Sequence, residues 1–268
     1  MHPLRLLPLP LALLCASGLA QSLPTLKVDA APIGRTAAVE RVASVPQPEG
    51  PVMTLPAHTR AVLNVPGRTW QAQYAGEEPP AYVAVIPLDT LKSHYPAPMG
   101  ALSAEVNRVI AAAQGGPLRK GGVAGGLPYL PLPNAAQAAS GSLARISNND
   151  IQGFRYLTVY SQEAGIRFPR TAVRYTFQGV TRDGKHLVIM HVPYEVRTLP
   201  TAEQIEREDS RNRGFLAPFP GTPGGLSQEA FAKKNEQYLC DLTTKLDAEG
   251  RVGRLSALDS VVRSIQVR

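Results

Sequence analysis

The chain has 268 residues, 28 of them Lys or Arg against 21 Asp or Glu, and 44% of them are hydrophobic. That composition supports a globular core rather than a disordered chain, and two cysteines, of which the expected leader carries one, exclude a disulfide-stapled miniature scaffold and a cysteine-built zinc site. The 25 prolines and 23 glycines assign much of the chain to loops, and the basic residues are spread thinly, so the charge sets solubility rather than a nucleic-acid footprint.

The first element in chain order is a leader. Residues 1–20 carry one formal charge, Arg5, then an apolar run from Leu6 to Leu14, then the small residues Ala16, Ser17, Gly18 and Ala20. This order predicts a cleavable secretory signal cut after Ala20, and a mature chain that works outside the cytoplasm, periplasmic or extracellular. The apolar run falls well short of the ~20 residues that span a bilayer. Pro8 and Pro10 also oppose a long helix there. Lipidation at Cys15 would call for a small residue before it, and Leu14 stands there instead, which favours a released protein over a lipid-anchored one. Once Cys15 leaves with the signal, Cys240 is the one remaining thiol, and the mature fold is disulfide-free.

Residues 21–56 read as a proline-rich lead-in or tether, because prolines at 24, 32, 46, 48, 51 and 56 interrupt every helical period. Residues 57–268 read as one domain. Arg60–Val65 and Thr69–Tyr74 are short β-like runs around the turn signal Pro66-Gly67. Ala81–Pro87 is apolar on both faces, as a central strand of a covered sheet must be. Asp89 and Thr90 cap a short helix ending near Tyr95-Pro96, and Ser103–Ala113 forms a second, with Val106, Ile110 and Ala113 on one side. A long glycine-rich loop spans 114–133. Phe154–Tyr160 and Thr171–Thr181 alternate in the two-residue period, and Asp183-Gly184 turns the chain into His186–Pro193. Val173, Tyr175 and Phe177 share one face, expected to be core. Ser227 caps a helix running to about Leu246, with Phe231, Tyr238, Leu242 and Leu246 on one face and a buried, inert Cys240. Gly250–Gly253 breaks it. Ser256 and Asp259 have capping-box spacing before a last helix carrying Leu258, Val261, Val262 and Ile265. The fold class expected is α+β: an antiparallel-rich sheet covered by amphipathic helices.

Chemistry is harder to find. Gly116–Gly121 has a phosphate-loop gap, but Gly122 and Val123 stand where Lys and Ser or Thr are needed. His58, His94, His186 and His191 lack metal-ligand spacing, and His186 and His191 point to opposite faces of one strand. No metal or cofactor is therefore expected. The nucleophile elbow G-x-S-x-G is absent, and Ala139–Leu143 holds serines without that context. Glu203, Glu206, Glu208 and Asp209 are dense enough for paired-carboxylate work. They alternate with Arg207, Arg211 and Arg213, however, the pattern of a solvated face. Tyr156, Tyr160, Tyr175, Phe177 and Tyr194 fall on one sheet, where core packing outweighs stacking on a sugar or base.

Leu127–Gln137 (LPYLPLPNAAQ), Gly153–Gln162, Tyr175–Gly179 with Asp183-Gly184, Leu199-Pro200 and the ending Leu258–Val267 form a pattern. It resembles a family of bacterial secreted proteins and lipoproteins in which an LP-aromatic-LP…NAAQ segment precedes a YTFQG…DG hairpin. The resemblance spans about the last two-thirds of the chain and implies export and one α/β domain. It implies no activity and carries over no functional residue. The reading that follows is an exported, non-catalytic binding or interaction domain, its partner an envelope component or another protein. Two alternatives stand beside it: an envelope-acting hydrolase whose site is assembled only by the fold, and a binder of anionic polymer.

Overall fold

The hairpin encoded around Asp183-Gly184 is the centre of the fold. Strand β7 (Val173–Thr181) pairs antiparallel with β8 (His186–Tyr194). Gly184 takes the positive φ of 71° that the turn requires. The Asp183 carboxylate closes the turn by accepting from the Thr181 hydroxyl and the Lys185 amide. The structure, a computed structural model, describes residues 23–45, 54–72, 77–94, 100–118, 126–208 and 214–268, with the backbone alone for 100–103. The leader with its cut after Ala20 and Cys15 lies outside the described residues. So do Tyr95-Pro96, much of the glycine-rich loop, and Asp209 to Arg213.

The sheet grows from both sides of the hairpin. On one side lie β6 (Ile151–Ser161) and β5 (Ala136–Ser147). On the other lie β4 (Tyr82–Pro87), β3 (His58–Asn64) and β2 (Thr36–Val42). The seven strands run in the order β2-β3-β4-β8-β7-β6-β5, and each neighbouring pair is antiparallel. Strand β2 comes from the proline-rich stretch and forms one edge. So does β1 (Leu26–Lys27), which pairs with the C-terminal β9 (Gln266–Val267) in a separate two-stranded ladder.

Helices cover both faces. Five are described: α1 (Leu88–His94), α2 (Gly100–Ala113), α3 (Ala202–Glu208), α4 (Gln228–Arg251) and α5 (Ser256–Ser264). Val83, Val85, Val173, Tyr175, Phe177, Val188 and Met190 point to one face, where Leu242 and Leu246 of α4 and Leu258, Val261 and Val262 of α5 meet them. The other parity, including Tyr82, Ala84, Ile86, Leu187 and Ile189, packs on α1, α2 and Leu130. This is a single-domain α+β fold, with an antiparallel sheet between amphipathic helices.

Four expectations are corrected. Residues 69–72 of the run expected at Thr69–Tyr74 form no strand; its last two lie outside the described residues. Strand β5 was not expected: its Ala, Ser and Gly residues have low strand preference, and pairing with β6 holds them extended. The Ser256–Asp259 capping box does not form, since Leu255 is the N-cap without a side-chain bond. Asp259 turns inward to Arg155 and Tyr175 instead. Cys240 is exposed, not buried, because it lies on the side of α4 away from Leu242 and Leu246. Ser227 does cap α4, accepting from the Ala230 amide, and the helix continues to Arg251.

Candidate functional site

Two histidines with lowered proton affinity, His191 and His58, lie on the sheet face that packs on α1 and α2. His191 is fully buried between Tyr82 and Tyr129, with ring centroids at 5.4 and 4.7 Å. Its Nε2 lies 3.0 Å from the Leu130 carbonyl, which can only accept, so Nε2 carries the hydrogen. Nδ1 then accepts from the Thr176 hydroxyl at 3.4 Å. Desolvation pushes its pKa down to about 3, so the ring is neutral and its two nitrogens are engaged. His58 is similar: Nδ1 donates to the Pro56 carbonyl at 2.7 Å, and burial lowers its pKa to about 4. His94 is tied to Thr54 at 3.2 Å, and burial lowers it too. His186 points to the other face, as the strand period predicts.

The LPYLP segment is docked by polar ties. Pro128 O accepts from the Tyr156 hydroxyl, Leu130 O from Gln178 Nε2, and Glu105 Oε1 from the Tyr129 amide. This accounts for the segment as a structural strap across the sheet. Beside it the Tyr82 hydroxyl donates to the Glu78 carboxylate at 2.5 Å. Desolvation raises the Glu78 carboxyl, outweighing that bond and the nearby Arg60 and Arg174.

On the α4 face the serines expected at Ala139–Leu143 are structural. Ser142 adopts a φ of 56°, and its hydroxyl donates to Leu246 O and accepts from the Gly250 amide. Asp247 receives the Ser142 amide at 2.7 Å. Gly141 is needed for this close approach: a Cβ there would stand 2.7 Å from that of Leu246. Together these contacts bolt α4 along edge strand β5. Of the carboxylates in the charged stretch, Glu208 pairs with Arg167 at 2.7 Å and Glu203 is fully solvated, which fits a surface face. Tyr156, Tyr175 and Phe177 are core. Tyr160 packs against Tyr129 with the rings tilted by 58°, and Tyr194 donates to Glu249.

The bolt leaves a groove of about 910 Å³ along the outer shoulder of α4. Its apolar residues are Phe219, Pro220, Phe231, Ala232 and Leu239, with Ala138 of β5 and Ala164 of the loop after β6. Phe215 meets Phe219 edge to face at 4.7 Å, Phe219 stacks on Phe231 at 5.3 Å, and the three rings hold this apolar lining. Gln228, Asn235, Glu236, Cys240, Thr243 and Thr244 of α4 supply its polar side. Asn235 Oδ1 accepts from the Gly165 amide, which leaves its NH₂ to donate. No Lys or Arg lines the groove among the described residues. An apolar trough of this size with a few hydrogen-bonding groups has the character of a small-molecule site.

None of the histidines, serines or carboxylates singled out in the sequence converges on the groove. Its wall residues come from α4, β5 and two loops, and in the sequence Phe231 and Cys240 read as core. The available signal was the second stripe of α4: Ala232, Glu236, Cys240, Thr243 and Asp247 follow at helical spacing beside the core stripe. Among the described residues no group of His, Cys, Asp and Glu could hold a metal, and no helix is long and apolar enough to cross a membrane. No family model, curated protein or solved structure matches the chain, so the site rests on its own geometry.

Proposed function

We propose that this chain is an exported, non-catalytic binding domain that acts in the cell envelope, and that the groove along α4 holds the apolar part of its ligand. The groove is the observation that carries the reading: about 910 Å³, walled by aromatic and aliphatic side chains. The leader supports an extracytoplasmic site of action. The histidines support binding over proton transfer, since His58 and His191 are neutral and tied to carbonyls inside the core. A groove without cationic side chains does not suit an anionic polymer lying along it. The test is a titration with Nile red, a neutral apolar dye. The wild-type chain binds it saturably at one site, and Ala232→Trp, which fills the groove from an exposed position, abolishes binding while leaving the melting temperature unchanged. Dye binding that survives the plug would move the site elsewhere.

An envelope-acting hydrolase is a second reading, favoured by one observation, the short Tyr82–Glu78 hydrogen bond at a carboxyl raised by desolvation. Hydrolysis of an envelope polymer by the wild type, lost in Glu78→Gln, would establish it over the binding reading.

A further inference from the structure

The groove stripe of α4 does not stop at Thr244. Asp247, Gly250 and Arg251 continue it to the end of the helix, where they line a second cavity of about 280 Å³ with Ser142, Leu143 and Arg155. Thr244 and Arg251 lie about 10 Å apart along the helix axis. The two cavities therefore succeed one another along one side of α4, with β5 alongside both.

Their chemistry is opposite. The groove lacks cationic side chains among the described residues, whereas the second cavity is lined by two guanidiniums and one carboxylate. Arg155 is only 8% exposed. Its Nε donates to Asp259 at 3.2 Å, and its two Nη nitrogens make no hydrogen bond to the described residues. A buried guanidinium fixed through Nε with both Nη free is a preformed fork for an oxyanion. Asp247 in the lining and Asp259 on Arg155 Nε balance the two guanidiniums in charge, so the cavity attracts an oxyanion through directed N–H donors rather than through net positive charge.

We propose that the ligand is a single-chain anionic amphiphile, with its apolar body in the α4 groove and its carboxylate or phosphate head on Arg155 and Arg251. This rests on the groove reading above. The two Nη nitrogens of Arg155 and the exposed Arg251 guanidinium give the second cavity donors suited to an oxyanion, and the succession of both cavities along one helix stripe puts head and body within reach of one molecule.

The experiment is displacement of Nile red from the full chain by three ligands with the same tail: dodecanol, dodecanoate and dodecyl phosphate. The two anions displace the dye about tenfold better than dodecanol. Arg251→Gln, at an exposed residue, and Arg155→Lys, which keeps a charge beside Asp259, remove that advantage and leave dodecanol displacement unchanged. The anion with the larger advantage identifies the head group. Equal displacement by all three ligands, or an advantage that survives Arg251→Gln and Arg155→Lys, overturns the head site while the groove stands. Dye that does not bind, or that none of the three displaces, overturns the groove reading itself.

Discussion

Acid should destabilise this fold steeply, and the two buried histidines set the size of the effect. Both have folded pKa values below the ordinary 6.5, at about 3 for His191 and about 4 for His58. The folded chain keeps them neutral while the unfolded chain protonates them below about pH 6.5. Their contribution is thus intact above that value and is lost as the pH falls toward the folded values. A unit of pKa difference corresponds to about 1.4 kcal/mol. At about pH 5 each histidine withdraws roughly 2 kcal/mol, and the two together roughly 4 kcal/mol, a large share of the 5–15 kcal/mol typical of a domain. Urea unfolding between about pH 7.5 and pH 5 measures this. His191→Gln can still donate to Leu130 O and accept from Thr176 but does not titrate, so it should lose about half of the pH dependence. A pH dependence unchanged in His191→Gln would refute the assignment of a buried neutral imidazole.

Three further outcomes follow from the same contacts. Ser142→Ala removes the hydroxyl that ties Leu246 O and the Gly250 amide, and should lower unfolding free energy in urea by about 1–3 kcal/mol. Asp259→Asn leaves the Arg155 guanidinium buried without its counter-charge and should lower it by about 3–5 kcal/mol. If the leader is processed as read, the exported protein begins at Gln21, which intact-mass measurement of the secreted chain will show.

How legible this fold is in the sequence depends on what holds each element. Val173, Tyr175 and Phe177, the Asp183-Gly184 turn and the doubly apolar Tyr82–Pro87 run are specified by local pattern and burial together, so periodicity finds them. Strand β5 is not legible because small residues fit the approach of α4, with Gly141 lying against Leu246, and small residues leave no periodic signal. Asp259 illustrates a tertiary override: its spacing from Ser256 suits a cap, but Arg155 and the Tyr175 hydroxyl, 2.7 Å away, claim the carboxylate. Cys240 read as core because Leu239 and Leu242 flank it, although three-dimensional packing uses only one side of α4. The groove had no local signature for a further reason. Its walls come from residues 138, 164, 219 and 228–244, brought together only when α4 is bolted to the sheet edge.

Cys240 provides the most direct measurement of the binding claim, because it is an exposed thiol within the groove lining. Its reaction with Ellman's reagent should be complete in the native protein and should slow in proportion to occupancy as Nile red is titrated to saturation. A reaction rate indifferent to saturating dye would place the ligand elsewhere and contradict the account.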